Sequence, residues 1–185
     1  MNETLRIIRS RRSIRDFTDE QIGKKELDWI VEAGLYAPSH KGVQNLHHTV
    51  IQSKEMRQKV DDWIVDEVER SGDESVRKIV RRGSNSVFRN APTVVIVSSE
   101  QNDRFGIVNA AAATENMLIA AESLGIGSCW IGILEMLAAS PRIREYAKVL
   151  MLPEGYVPQF GINLGYKASS APEAPERKPN LVSYI

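Results

Sequence analysis

Pro92-Thr93-Val94-Val95-Ile96-Val97 decides the fold, together with the Ala-rich run from Ile107 to Leu124 that follows it. A strand that shows one face to water alternates apolar and polar residues, whereas this one is apolar on both faces, so it reads as a buried strand in the middle of a sheet. The run from Ile107 to Leu124 is apolar around most of its circumference, which predicts a helix packed tightly between layers. Gly125-Ile126-Gly127 can end that helix and turn the chain into Ser128-Cys129-Trp130-Ile131-Gly132. Two readings of this glycine-bearing stretch stand side by side: small residues that admit a planar ligand, or a buried strand with incidental glycines.

Outward from this centre, helical and extended patterns interleave. Thr18-Asp19-Glu20-Gln21 has the spacing of a capping box, and Leu27, Ile30, Val31 and Leu35 recur at helical intervals until Pro38. Thr49-Val50-Ile51 is short and β-branched, as a strand requires. Met56, Val60, Ile64 and Val68 mark a helix from Lys54 to about Arg70, Ser71-Gly72-Asp73 breaks it, and Arg77 to Arg82 forms a shorter one. Ser140-Pro141 opens a helix over Arg142 to Lys148, and Val157 to Tyr166 is extended. From Ala168 to Ile185 the chain carries Pro172, Pro175 and Pro179 with little periodicity, which describes an arm.

Composition bounds the class. The chain has 185 residues, 42% apolar and 26% charged, which suits one soluble domain with a substantial core. Its 24 basic and 24 acidic residues balance, so no broad positive field is available for a nucleic-acid backbone. Neither a signal-peptide core near the N-terminus nor a long uninterrupted apolar segment argues for a membrane, and the cytoplasm is the expected location. A lone Cys129 fits a reducing compartment.

Local concentrations of chemistry are few. Ser10-Arg11-Arg12-Ser13-Ile14-Arg15 gathers three guanidinium groups and two hydroxyls in a chain of zero formal charge. Guanidinium forks bind oxyanions in pairs, so the run reads as a phosphate site or, alternatively, as a solvated basic turn. A phosphate loop, a dinucleotide-binding glycine fingerprint and a cysteine pair for zinc are all missing. His40, His47 and His48 have no acidic partner at ligand spacing, and Cys129 lacks a nearby sequence activator, which favours a packed thiol over a nucleophile.

Taken in order, Arg11-Arg12-Ser13-Ile14-Arg15-Asp16-Phe17, Ala37-Pro38-Ser39-His40-Lys41-Gly42-Val43-Gln44 and Gly125-Ile126-Gly127-Ser128-Cys129-Trp130-Ile131-Gly132 resemble the nitroreductase family of flavoproteins. Ala91 to Val97, Glu115-Asn116, Leu164-Gly165-Tyr166 and Arg177-Lys178-Pro179 extend the resemblance over nearly the whole chain. It implies an α+β fold, a mostly antiparallel central sheet flanked by helices, built as an intertwined homodimer with flavin mononucleotide (FMN) at the subunit interfaces. Residues 1–185 would form one flavin-binding domain, with 168–185 reaching the partner subunit.

By the same resemblance, Arg11, Ser13 and Arg15 hold the flavin phosphate and ribityl chain, with help from Arg12. Ser39, His40 and Gln44 lie on the loop that approaches the flavin, often from the other subunit. Trp130, Ile131 and Gly132 place backbone groups along the ring, and Arg177 or Lys178 returns to the phosphate. The implied activity passes electrons from NADH or NADPH through the flavin to a planar nitroaromatic or quinone; flavin N5 carries the hydride and no catalytic side chain or metal is required. Other flavin chemistry on the same scaffold (dehalogenation, dehydrogenation, flavin breakdown) and non-enzymatic flavin binding remain open. The chain departs from the family pattern where Gly42 stands in place of a frequent Asn, Asn45-Leu46 in place of Pro-Trp, and Lys167 in place of a frequent Pro.

Overall fold

A computed structural model describes residues 1–83 and 86–185. In chain order its elements are α1 (Glu3–Ser10), α2 (Lys24–Leu35), a tight turn at His40–Gly42, β1 (Leu46–Ile51), α3 (Lys54–Ser71), α4 (Glu74–Arg82), β2 (Thr93–Glu100), α5 (Gly106–Ser123), β3 (Gly127–Ile131), α6 (Glu135–Ala138), α7 (Ile143–Val149) and β4 (Tyr156–Gly165). The sheet runs β1-β2-β4-β3 with every neighbouring pair antiparallel. The expected central strand is therefore an interior one, and it is buried from Thr93 to Ser99.

Both faces of β2 are covered because both are apolar. Val94 and Ile96 join Ile51 and Ile131 against Val60 and Ile64 of α3, with Leu137 and Tyr146 beyond them. On the other face, Val95 and Val97 join Ile162 and Leu164 against Leu27 and Ile30 of α2 and Ala110, Met117 and Leu118 of α5. Each fully buried Val, Leu or Ile contributes roughly 1.5–3 kcal/mol of transfer free energy, so the two clusters dominate folding. The Ala-rich sequence of α5 is what lets it approach the sheet closely.

Two local expectations fail. The capping box does not start α2, which begins at Lys24 with Gly23 as its cap and no side-chain bond there. Tertiary pairing has taken the residues instead: the Thr18 amide donates to the Tyr166 carbonyl at 3.0 Å, and the Gln21 amide donates to the Thr93 hydroxyl. Helix α1 has no counterpart in the sequence reading. Asn2 caps it by accepting from the Leu5 amide at 3.0 Å, and none of its residues is buried. The short helix α6 was likewise not read from the sequence, and the other elements fall where periodicity places them, with shifted ends, as helix and strand boundaries commonly do.

His48 on β1 is a buried polar group with a thermodynamic consequence. Its Nε2 has no hydrogen-bond partner among the described residues, and Gly34 of α2 leaves so little room that a Cβ there would lie 3.2 Å from that nitrogen. Burial, with a smaller contribution from His47, pushes its pKa from 6.5 down to about 4. The unfolded chain thus takes up a proton that the folded chain refuses, so stability present above pH 6.5 is lost as pH falls towards about 4. We predict that His48→Gln flattens the fall in melting temperature across that window by the equivalent of about 2–3 kcal/mol at its acid end; an unchanged pH profile would contradict the assignment.

Candidate functional site

The basic run is attached to the sheet by its backbone. Ser13 forms a parallel bridge with Ser128 of β3, and the Ile14 amide donates to the Ser128 carbonyl at 2.8 Å. Phe17 then bridges Lys167, and Ile14 and Phe17 are buried beside Ala91. This approach explains two glycines. A Cβ on Gly127 would lie 3.1 Å from Ile14, and one on its cross-strand partner Gly165 would lie 2.6 Å from Pro92 and 3.0 Å from Phe17. Gly127 is thus a place where the chain approaches itself, which decides between the two readings of that position. Gly132, in contrast, has open space where a side chain would stand.

Beyond this edge lies a cleft of about 470 Å³ that brings together Arg15, Trp130, Ile131 and Gly132. Trp130 packs edge-on against Phe160 with ring centres 4.8 Å apart. Arg11 sits just behind, its Nε 3.7 Å from a Glu115 carboxylate oxygen, a long and half-exposed pair that stabilises little. Arg12 turns back to α1, donating to the carbonyls of Arg9 at 2.9 Å and Arg11 at 2.6 Å, so its guanidinium closes the helix end. Arg15 donates to the Ser13 carbonyl at 3.3 Å. A larger recess of about 740 Å³ between α7 and the 152–157 segment contains none of the expected site residues.

Among the cleft residues that sequence reasoning missed, Arg89, Phe160 and Asn163 bear most on its chemistry. Arg89 and Asn90 both adopt left-handed backbone, φ 49° and 57°, on a turn held from two sides. Asp61 of α3, 4% exposed, accepts from the Ser86 hydroxyl at 2.6 Å and the Val87 amide at 2.7 Å. Asn163 of β4 donates to the Val87 carbonyl at 3.2 Å. Burial pushes the Asp61 carboxyl up, and these donors pull it back. An Asn inside the buried second half of β4 was the available signal; Arg89 had none.

Cys129 faces Asn163 across the β3–β4 ladder and is buried. Burial pushes its thiol up while Arg15, Arg89 and Arg11 pull against that, so three guanidinium groups act on one point of the cleft floor. The thiol stays protonated and packed, and the convergence of cations suits an anionic ligand.

The 39–44 loop lies elsewhere. The Gln44 amide donates to the Ser39 hydroxyl at 3.2 Å, and the His40 ring stacks on Phe105 at 3.8 Å and 15°. Lys41, Gly42 and Gln44 all have left-handed backbone, at φ 54°, 66° and 48°. The loop runs into Leu46, opposite Ser99, while Ser128 stands in register with Leu164 and, through it, Thr93. Three strand spacings across and six residues along separate these corners of the sheet, a diagonal of roughly 24 Å. Arg177 and Lys178 lie on the exposed arm, with no hydrogen bond or ion pair recorded to another described residue.

The nitroreductase family model matches residues 8–166. A nitroreductase with bound FMN from Bacteroides fragilis superposes with a TM-score of 0.92 at 33% identity over 100% of both chains. A second, with bound FMN, from Desulfitobacterium hafniense gives 0.90 at 28% identity over 100% of this chain and 99% of the other. An FMN reductase (NADPH) of Bacillus subtilis is 27% identical over 100% of this chain and 73% of its own length. The family model spans most of the chain and the fold superposes closely on these nitroreductases, and the chain belongs to the nitroreductase family.

Proposed function

We propose that this chain is an FMN-dependent oxidoreductase that takes electrons from NADH or NADPH and delivers them to a planar, electron-poor acceptor such as a nitroaromatic or a quinone. The observation that carries this reading is the meeting of Arg15 and Arg89 with the open edge of β3 in one cleft whose aromatic wall is Trp130 and Phe160. The residues fit the group. An aromatic wall suits a fused ring, and guanidinium groups near the floor suit a phosphate and an electron-rich ring. The Bacteroides fragilis neighbour carries FMN, and the Bacillus subtilis relative is named for FMN and NADPH.

Within that reading, FMN when bound supplies the two-electron chemistry, alternating between donor and acceptor. Arg11, Ser13 and Arg15 bind its phosphate and ribityl chain, with Arg12 contributing through its backbone because its side chain closes α1. The backbone at Trp130, Ile131 and Gly132 orients the ring, and the open space at Gly132 leaves access for the exchanging substrates. Arg89 places positive charge in the cleft, which favours the electron-rich form of the ring. No side chain is needed as a nucleophile or general base.

The active unit is an intertwined homodimer, in which residues 1–185 act as one flavin-binding unit and the 168–185 arm crosses to the partner. The 24 Å diagonal supports this, since one chain does not by itself bring its own 39–44 loop to its own basic run. So do apolar side chains left about half or more exposed: Leu5 and Ile8 of α1, Ile107 and Val108 of α5, and Leu181 and Tyr184 of the arm. Ser39, His40 and Gln44 then serve the site of the second copy, and Arg177 or Lys178 reaches a phosphate from the arm. The lone buried thiol suits a reducing cytoplasm.

Anaerobic addition of NADH or NADPH to the FMN-loaded protein tests the reading. At least one is expected to bleach the oxidised-flavin band, and bound flavin that neither bleaches would overturn it. Arg11→Ala/Arg15→Ala is expected to weaken FMN binding by several kcal/mol, since charge-assisted hydrogen bonds contribute about 1.5–3 kcal/mol each. Unchanged affinity by fluorescence titration would remove the phosphate assignment.

A further inference from the structure

The 39–44 loop is held by more than its own sequence explains. Gly42 offers no side chain where the family often has Asn, yet three of the loop's residues are kept in left-handed backbone, an arrangement that costs roughly 1–2 kcal/mol for each non-glycine. Something outside the loop must keep this geometry.

A chain of three polar side chains supplies the hold. Asp103, on the turn between β2 and α5, accepts from the Asn45 amide at 2.7 Å. Asn45, the residue that follows the loop, accepts in turn from the Asn109 amide at 3.3 Å. Asn109, 3% exposed on α5, accepts from the His40 backbone amide at 3.0 Å. The loop is therefore gripped at its second residue and at its exit by one connected network. Asp103 also accepts from the Phe105 amide at 2.9 Å, which fixes the ring on which His40 stacks. Proline, frequent in the family at position 45, has no amide with which to build this link.

The consequence concerns the imidazole. His40 is exposed, one face lies on Phe105, and its backbone is bonded to a buried group, so the ring is both presented and immobilised. Such presentation has no packing purpose, because the residue contributes nothing to either apolar cluster. We propose that Asn45, Asp103, Phe105 and Asn109 are positioning residues that hold the His40 imidazole toward the flavin site completed by a second copy of the chain. The inference rests on the proposed function above, in which this loop faces bound FMN.

Two readouts test it, neither of them turnover. In the apo protein the His40 ring protons are expected upfield of free imidazole by the ring current of Phe105, and Phe105→Leu should return them downfield; unmoved resonances would overturn the stack. In fluorescence titrations with FMN, His40→Ala, Asn109→Ala and Phe105→Leu are each expected to raise the dissociation constant by about tenfold, the equivalent of one ordinary hydrogen bond. Because Phe105 acts through the His40 ring, adding Phe105→Leu to His40→Ala should produce no further loss, whereas Asn109 holds the His40 backbone and with it the whole loop, so Asn109→Ala is read as a single variant. Losses that multiply in the His40→Ala/Phe105→Leu pair would overturn the proposal, as would unchanged FMN affinity in Asn109→Ala. Normal FMN affinity in His40→Ala overturns the positioning role and leaves the proposed function standing, whereas wild-type protein that binds no FMN overturns both.

Discussion

The structure depends on one backbone contact, the pairing of Ser13 and Ile14 with Ser128 at the outer edge of β3. β3 has β4 on one side only, and its other edge would otherwise present unpaired amides and carbonyls. The basic run pairs with that edge at Ser128 and leaves the rest of it open, and in doing so Arg15 is brought into the cleft. The contact is possible because Gly127 and Gly165 leave room for Ile14, Phe17 and Pro92. Pairing at the sheet edge and placement of the proposed anion site thus rest on the same contact.

A second constraint follows from sheet topology. Since β1 and β3 are opposite edges, the loop before β1 and the segment bridged to β3 are kept apart by the two interior strands of the sheet. A rigid, doubly covered sheet does not bend to bring them together. This separation, together with exposed apolar side chains on α1 and α5, supports the proposal that a symmetric pair of chains completes the site. The left-handed residues of the 39–44 loop fit the same view, because strained backbone retained by an external brace belongs where geometry serves a ligand.

Much of this was legible in the sequence where one physical signal dominated. β2 and α5 declare themselves through burial on all sides, and the order of Arg11-Arg12-Ser13, Ser39-His40 and Trp130-Ile131-Gly132 carried the family. What was not legible depends on contacts distant in sequence. Thr18 to Gln21 has a helix-start pattern, but pairing with Tyr166 and Thr93 outweighs it. Arg89 is one arginine among many until Asp61 and Asn163 fix its turn. Asn45, Asp103 and Asn109 look like ordinary loop and helix polars, since no periodicity reports that they meet. Helix α1 was missed because, within one chain, almost nothing buries it.

The central claim, that each flavin site takes the basic run from one copy and the 39–44 loop from the other, has a direct test in mixed dimers. One chain carries Arg11→Ala/Arg15→Ala and the other His40→Ala/Gln44→Ala, and the two are co-expressed and purified together. Each mixed dimer then contains one site with both defects and one with neither, so about a quarter of all sites in a random mixture should bind FMN with wild-type affinity. Complete absence of tight sites, with mixed dimers demonstrably present, would contradict the account by showing that both elements serve the site of their own chain.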